Sequence, residues 1–505
     1  MEKVIKRALI SVYHKDGLAE IVRHLHSLDV EIVSTGGTKT FIDELGIPCV
    51  SVEELTDYPS LLGGRVKTLH PAVFGGILAR RDEPKDLDQV ATYGLALFDL
   101  VVVDLYPFRE TVLSGGTPDE IIEKIDIGGI SLIRAAAKNH SDVLIVSNRG
   151  QYASLLNILK EGHGVTTDAE RRRFALEAFA TSSEYDTDIF NYFDGGDLSS
   201  LRIATDTAKV LRYGENPHQR GLFFGDFYKY FDKLQGKDIS YNNLLDLSAA
   251  VSLIAEFRVP TFAVLKHNNP CGVASRDTLE EACRLALACD PESAFGGVLA
   301  ANRTIDVATA QLLEGLFFEV LVAPDYDSEA VALLAKKSKR ILLVQKELPQ
   351  QQWSMRSLLG GMLVQEQDML TEGVADMDFI TEKKPVEDEL QDLVFANIVA
   401  KHCKSNAVAL VKDSCLCASG VGQTSRVAAL RQAIEKAKGF GFDLSGAVLG
   451  SDAFFPFSDC VELAAAEGVS AIIQPGGSIR DQESIDACNR LGVSMVLTGN
   501  RHFRH

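Results

Sequence analysis

The chain has 505 residues, which suggests about three folding units at the usual domain size of ~150 residues. It is 46% hydrophobic and 24% charged, a composition that can bury real cores and excludes wholesale disorder. Its 51 Lys and Arg residues stand against 70 Asp and Glu residues, so the net charge is −19. A surface this acidic repels phosphate backbones, so we expect no nucleic-acid partner, and an anionic substrate would need basic residues gathered at its site.

The sequence pattern is not that of a secreted or membrane protein. The stretch Met1–Arg7 has charges on both sides of a short apolar pair and lacks the apolar segment of a signal peptide. No apolar run approaches the ~18 residues needed to span a bilayer. Nine cysteines are scattered without a Cys-x-x-Cys pair, which favours reduced thiols over a disulfide framework. We therefore expect a cytoplasmic protein with no membrane partner.

The first third of the chain alternates strand-like and helix-like segments. Ala8–Val12 is predicted to be a buried strand, followed by a helix to about Leu28 and a second strand at Glu31–Val33. Leu97–Val103 and Val143–Val146 are further apolar strands. This α/β alternation predicts a doubly wound parallel sheet, in which ligands bind beyond the carboxyl ends of the strands.

A domain boundary is predicted after a long helix. Asp168–Phe193 has apolar residues near helical spacing, and Gly195–Ser200 then interrupts the pattern. We therefore divide the chain into residues 1–197 and 198–505.

The second domain is again mixed α/β and contains a faint internal echo. Lys266-His267 is matched by Lys401-His402, and Ser293–Phe295 by Ser451–Phe454. These short matches predict a duplicated α/β unit.

Four loops of the first domain combine glycine or polar residues with a position at a strand end. Glycines let a backbone approach a ligand closely, and backbone N–H groups at a helix start form a phosphate cradle. Each loop alone is equally typical of a surface turn or a helix cap. Together they predict a phosphate-binding site formed by Ser34–Thr38, Leu62–Pro71, Asp104–Phe108 and Asp126–Gly129.

The second domain offers a pair of residues suited to proton transfer. Lys266 and His267 follow a predicted strand, and a cation beside an imidazole lowers the pKa of that imidazole. A zinc deaminase is an alternative for this stretch. It is disfavoured because Pro270-Cys271 lacks the second cysteine of that motif and no Glu follows His267 at the required spacing, so we expect no metal.

Three motifs carry a resemblance to a known family. Gly63–Pro71, Leu105–Phe108 and the stretch from Asp126 to His140 resemble the IMP cyclohydrolase domain. From Ser11 to His505 the chain resembles the bifunctional AICAR formyltransferase/IMP cyclohydrolase family of purine biosynthesis.

The resemblance implies a fold, an activity and partners. The first domain would be methylglyoxal-synthase-like, and the second would contain two cytidine-deaminase-like units. The enzyme would transfer a formyl group from the co-substrate 10-formyltetrahydrofolate to AICAR, giving FAICAR, and would cyclise FAICAR to IMP with loss of water. The resemblance implies a homodimer, and we expect no bound cofactor.

The resemblance also implies site residues. In the first domain the nucleotide would be held by Ser11, Lys15, Ser34, Thr35, Gly36, Gly37, Arg65, Thr68 and Asp104. There Lys67 and Lys138 would stabilise an oxyanion, and Asp126 and Tyr106 would transfer protons. In the second domain Lys266 and His267 would run the proton chemistry. Substrates there would be bound by Arg212, Tyr213, Asn243, Gly296, Asn406, Phe454 and Arg501.

Departures from the family pattern occur in two places. Asp104 stands where Asn is usual, and an anion near a phosphate-bearing ligand is unfavourable unless it is paired or protonated. Tyr13 and His14 stand where small or acidic residues are commoner.

A second functional hypothesis treats the first domain as a nucleotide-sensing module. Both Lys67 and Lys138 argue against it, because sensing needs no oxyanion stabiliser.

Overall fold

A computed structural model describes residues 2–205, 208–349 and 352–505, and the chain divides into the units Met1–Thr205 and Asp206–His505, called here the first and second units. Among the described residues, no helix has the length and apolar character needed to cross a membrane.

The first unit contains a five-stranded parallel sheet, as predicted. Its strands lie in the spatial order Val50–Ser51, Glu31–Ser34, Arg7–Val12, Leu100–Asp104 and Leu144–Val146. The chain order reverses between Arg7–Val12 and Leu100–Asp104, where Val12 pairs with Asp104. In doubly wound sheets this reversal opens a crevice at the carboxyl ends of the strands, where ligands bind.

Ten α-helices accompany this sheet in the described part of the first unit, and the strand cores are fully buried. The helices are Leu18–Ser27, Gly36–Glu44, Val52–Thr56, Pro71–Leu78, Pro84–Thr92, Phe108–Leu113, Pro118–Ile122, Gly128–Lys138, Tyr152–Lys160 and Asp168–Asp194. A short antiparallel pair, Lys3–Val4 with Val165–Thr166, lies outside the sheet.

One predicted strand begins later than expected. The strand predicted from Leu97 begins at Leu100, and the preceding Asp99 directs its carboxylate to the neighbouring residues Lys6 and Arg7. One Asp99 oxygen accepts the backbone N–H groups of Lys6 and Arg7, at 2.8 and 2.9 Å. The segment before Leu100 is thereby held by the side chain of Asp99. The apolar sequence pattern does not predict such a contact.

The predicted long helix is confirmed as Asp168–Asp194. Thr167 and Glu170 close its start as a capping box, and Gly195 ends it in the left-handed conformation at φ 62°. The two units divide eleven residues further on, between 205 and 206. The functional boundary at 197/198 stays a prediction.

The second unit is built on a twelve-stranded mixed sheet. The first six strands in spatial order are Phe231–Gln235, Ile341–Gln345, Val320–Ala323, Val298–Ala301, Thr261–Lys266 and Asn269–Ser275. The other six are Cys415–Gly420, Val408–Lys412, Val448–Ser451, Ala471–Gln474, Ser494–Leu497 and Asp378–Phe379. Further hairpins pair Lys209–Val210 with Leu222–Phe223 and Trp353–Leu358 with Gly361–Glu366.

The predicted duplication is confirmed by this topology. Each half contains a hairpin, one strand antiparallel to it, two further parallel strands and an antiparallel edge strand. The halves join through Asn269–Ser275 and Cys415–Gly420. The main helices of the first half are Tyr241–Ile254, Leu279–Cys289, Val307–Glu314 and Ser328–Leu334, with short helices at Phe227–Tyr230 and Pro291–Ala294. Those of the second half are Glu387–Lys401, Arg426–Gly439, Asp459–Ala466 and Asp481–Leu491.

The sequence echoes that suggested the duplication do not lie at equivalent positions. Lys266-His267 lies at a hairpin turn, whereas Lys401-His402 lies at the end of the helix Glu387–Lys401. By sheet position, the equivalent of Lys266 is Lys412, the last residue of its strand. The inference of a repeat was right, but its short matches were coincidental.

Candidate active sites

The first candidate site lies at the crevice of the first unit, beyond the strand Arg7–Val12. Ser11 Oγ is 3.1 Å from Thr35 Oγ1, so two predicted binding hydroxyls meet across adjacent strand ends. Thr35 precedes the helix Gly36–Glu44, whose first N–H groups carry the positive end of the helix dipole. This arrangement suits an anionic group such as a phosphate.

Lys15 is held over the same strand end. Its Nζ donates to the backbone oxygen of Val12, to Tyr13 O at 3.1 Å and to Thr38 Oγ1 at 3.1 Å. Burial lowers the pKa of Lys15, although Asp104 acts in the opposite direction. A half-buried ammonium fixed in this way is preorganised for an anion.

The loop that carries Lys67 and Thr68 reaches both neighbouring helix starts. The Lys67 ammonium lies so close to Gly36 that a Cβ at that position would overlap it, and Gly36 has φ 42°. The Thr68 hydroxyl lies 2.8 Å from where a Cβ on Gly128, the first residue of the helix Gly128–Lys138, would stand. Residues predicted from three separate loops are therefore brought together.

Asp126 and Tyr106 are neighbours in this site. Asp126 Oδ1 accepts the N–H of Gly129 at 2.6 Å, so the carboxylate also caps a helix. Burial raises the pKa of Asp126, and hydrogen bonds from the backbone of Gly129 and Tyr106 only partly offset this effect. Burial, together with the charge of Asp126, raises the pKa of Tyr106. A carboxyl with a raised pKa is a better proton acceptor, which fits acid–base chemistry.

The unusual Asp104 is paired with the unusual His14. His14 Nδ1 lies 2.7 Å from Asp104 Oδ2, and the same oxygen accepts the backbone N–H of His14 at 2.9 Å. The charge that would oppose an anionic ligand therefore has a partner.

The side chains of three predicted residues of the first domain do not join the cluster that the other predicted residues form. The Ser34 hydroxyl is buried and donates to Ile10 O at 2.7 Å, which leaves its side chain in the framework. Arg65 is exposed and forms an ion pair with Glu123. Lys138 ends the helix that starts at Gly128, about 15 Å away along the helix axis, and so is not brought to the other residues of its own unit.

The second candidate site is organised by the helix Tyr241–Ile254. Ser240 caps this helix and also donates to Oδ1 of the buried Asn243 at 2.8 Å. Asn242 Nδ2 donates to Glu215 O at 3.2 Å, which ties the loop of Arg212 and Tyr213 to the helix start. In that loop the Arg212 guanidinium lies 5.6 Å from the centre of the Tyr213 ring.

Lys266 and His267 lie at a hairpin turn beside this helix. Lys266 Nζ donates to Phe295 O at 2.8 Å, next to the predicted residue Gly296, whose N–H donates to Phe317 O at 2.8 Å. His267 is exposed. The ammonium is therefore fixed by the framework, while the imidazole is accessible to a ligand.

The second half of the sheet meets this turn. Lys404 donates its backbone N–H to Asn269 Oδ1 at 2.9 Å, two residues before Asn406. Arg426 donates to Asn406 Oδ1 at 2.9 Å and to Phe454 O at 3.2 Å. Asn406 and Phe454, both predicted, are thus held by one guanidinium.

A cavity of about 420 Å³ opens beside Phe454 and Arg501. The chain end that carries Arg501 is docked on the rest of the unit, since Ser405 and Arg504 exchange hydrogen bonds. The cavity is lined by Asp368, Leu370, Phe454, Pro475, Gly476, Gly477, Gly499, Asn500, Arg501 and His502.

Sequence reasoning missed two groups: Arg426, which donates to the lining residue Phe454, and His502, which lines the cavity itself. Arg426 is buried and forms an ion pair with Asp452. His502 Nδ1 lies 2.7 Å from Asp368 Oδ2, and its Nε2 lies 3.0 Å from Glu372 Oε2. Although burial opposes the imidazolium, these carboxylates raise the pKa of His502 to about 9. For Arg426, the sequence signal was an arginine at the start of a helix. For His502, no motif was available, because Asp368 and Glu372 are too distant from it in sequence.

A zinc-binding arrangement is not found among the described residues, in which no group of three or more His, Cys, Asp and Glu side chains could hold a metal ion.

Two family models cover most of the chain. The model described as an MGS-like domain matches residues 17–131, and the model described as AICARFT/IMPCHase bienzyme matches residues 136–436. The bifunctional purine biosynthesis protein PurH of Bacteroides thetaiotaomicron is 59% identical over 100% of this chain and 99% of its own length. PurH of Caldicellulosiruptor saccharolyticus is 45% identical over 99% of this chain and 100% of its own length. A solved structure titled "Crystal structure of ForH" is 33% identical and covers 37% of this chain and 99% of its own, with a TM-score of 0.33. The chain belongs to the AICARFT/IMPCHase bienzyme family, that of the bifunctional purine biosynthesis protein PurH.

Proposed function

We propose that the two reactions of this bifunctional AICAR formyltransferase/IMP cyclohydrolase take place at the two sites described above. FAICAR is cyclised to IMP at the crevice of the first unit. AICAR is formylated at the Lys266–Asn269 turn of the second unit. A role of the first unit in nucleotide sensing alone is not favoured, because relatives named as bifunctional match along the whole chain.

Formyl transfer needs a base, because the amino group of AICAR is attached to an electron-withdrawing ring and is a weak nucleophile. His267 takes the proton from this amine as its nitrogen bonds to the formyl carbon, and Lys266 stabilises the tetrahedral oxyanion. The bond from the formyl carbon to the folate nitrogen then breaks, and the proton passes to that nitrogen. The exposed imidazole and the fixed ammonium support these separate roles.

Cyclisation joins two groups of one substrate. The carboxamide nitrogen of FAICAR attacks the formyl carbon, and water is then lost. Since both groups are tethered, positioning and oxyanion stabilisation supply most of the catalysis. Lys67 stabilises the oxyanion, and Asp126 and Tyr106 transfer protons, a role that the raised pKa of each supports.

The folate co-substrate that a formyltransferase requires is, in this proposal, 10-formyltetrahydrofolate. It is consumed as a substrate, with no bound cofactor. A homodimer and a cytoplasmic location also belong to the proposal.

The observation that carries the two-site assignment is the position of Lys266 and His267 in a different unit from Lys67 and Asp126. The test is His267→Ala, assayed at saturating substrates for each half-reaction. Loss of a general base lowers the kcat of formyl transfer by ~10²–10⁴-fold. Cyclisation of supplied FAICAR should keep its wild-type rate. A raised KM with normal kcat would leave His267 only a binding role.

A further inference from the structure

The turn that carries His267 has an unusual backbone. Lys266 pairs with Asn269 across the hairpin, and the two residues between them are left-handed, with φ 53° at His267 and 63° at Asn268. Two-residue hairpin turns of this kind favour Asn and Gly, and a histidine there adopts a conformation that L residues rarely take. Such a turn needs an external anchor to hold one geometry.

Asp246 supplies that anchor from the helix Tyr241–Ile254. Its Oδ1 accepts the backbone N–H of Asn268 at 2.6 Å. The charge and the backbone of His267 also act on this carboxylate, so Asp246 lies against both residues of the turn. The same helix carries Asn243 and the contact to the loop of Arg212, so the anchor connects the turn to the rest of the site.

In the second half of the sheet, a helix carboxylate again accepts backbone N–H groups of a hairpin turn, but that turn has no histidine. Asp392 is the sixth residue of its helix, as Asp246 is of its own. Its two oxygens accept the N–H groups of Asp413 at 2.8 Å and Ser414 at 2.5 Å, and both of these residues are left-handed. The fold therefore uses a helix carboxylate to hold each turn, and only the first turn carries a candidate base.

We propose that Asp246 is a positioning residue of the formyl-transfer site, which holds the His267–Asn268 turn and thereby aims the imidazole at the amine of the nucleotide. This inference rests on the proposed role of His267 as the base. Asp246 touches neither substrate and acts through His267 and the turn that carries it.

The test measures both half-reactions in the full-length protein. Asp246→Ala should lower the kcat of formyl transfer by about 10²-fold, the effect of a displacement of ~1 Å, with cyclisation unchanged in the same sample. Asp246→Asn keeps an acceptor oxygen and should recover most of that loss. Asp392→Ala removes the equivalent anchor from the turn without the histidine and should keep formyl transfer within a few-fold of wild type.

A wild-type kcat of formyl transfer in Asp246→Ala would overturn the inference. So would an equal loss of kcat in Asp392→Ala, because it would show a general effect on the sheet. The variant lacking both Asp246 and His267 side chains should be no slower than His267→Ala, because the anchor acts through the histidine. A wild-type kcat in His267→Ala would contradict the proposed base itself. A slow His267→Ala with a normal Asp246→Ala would contradict only the positioning role.

Discussion

His14 and Asp104 form a contact of 2.7 Å between Nδ1 and Oδ2, across the point where the sheet of the first unit reverses its strand order. The His14 and Asp104 side chains are 27% and 12% exposed, so the pair is partly shielded from water. Both residues depart from the usual family pattern, and in the structure these two unusual residues contact each other. His14 thus gives hydrogen-bond contacts to a carboxylate that lies where the substrate phosphate is expected.

Removal of this partner should weaken substrate binding. In His14→Ala, Asp104 loses its side-chain partner and repels the phosphate of FAICAR, so the KM for FAICAR should rise roughly tenfold with little change in kcat. Addition of Asp104→Asn in the same chain removes the charge and should restore the KM. Steady-state cyclisation kinetics of the two variants check this, and an unchanged KM in His14→Ala would show that Asp104 lies away from the ligand.

Lys67→Ala should affect one reaction of the two. Loss of one oxyanion stabiliser typically costs ~10²–10³ in kcat, so cyclisation should fall by that order while formyl transfer survives. Lys39→Ala is the matched control, because Lys39 lies on the neighbouring helix and its Nζ is 2.7 Å from Asp43. Equal losses in the two lysine variants, measured with supplied FAICAR, would point to net charge and not to a site residue.

His502 should make the stability of the second unit depend on pH. Its pKa is about 9 in the folded chain against 6.5 for the free side chain, so the folded state binds the proton more tightly. This stabilisation, roughly 3 kcal/mol, is fully present below pH 6.5 and is lost as the pH rises through 9. Trp353, the single tryptophan, lies in this unit and reports urea unfolding by fluorescence. The wild type should lose this increment between pH 6.5 and 9, and His502→Gln should not; parallel profiles would contradict the assignment.

The sequence predicted those features that depend on local patterns. Alternating apolar segments predicted the parallel sheet. The loops of Lys67 and Asp126 were expected directly after strands, but they follow the helices Val52–Thr56 and Pro118–Ile122, and they reach the site through contacts with Gly36 and Gly129. Specific pairings between two side chains far apart in the chain were not predictable. The pairing of His14 with Asp104 spans 90 residues and leaves no periodic signal.

The resemblance between motifs also did not indicate how far apart two residues of one motif lie along a helix. Lys138 belongs to the same motif as Asp126, but it lies at the opposite end of the helix Gly128–Lys138, and its catalytic role stays a prediction. The anchor at Asp246 was missed because, in the sequence, one carboxylate in a helix looks like any solvated residue. Only the hairpin that folds back against it gives Asp246 a role.

If the two reactions take place at two separate sites, a mixture of two variants that each lack one reaction should restore IMP formation. Lys67→Ala and His267→Ala are each assayed alone and then together for IMP formation from AICAR and 10-formyltetrahydrofolate, in buffer that contains a chelator. Each variant alone should form IMP slowly, and Lys67→Ala should accumulate FAICAR. The mixture should form IMP at a rate of the same order as the wild type, because each variant supplies the reaction that the other lacks. A mixture no faster than its components, with each variant folded, would contradict the account.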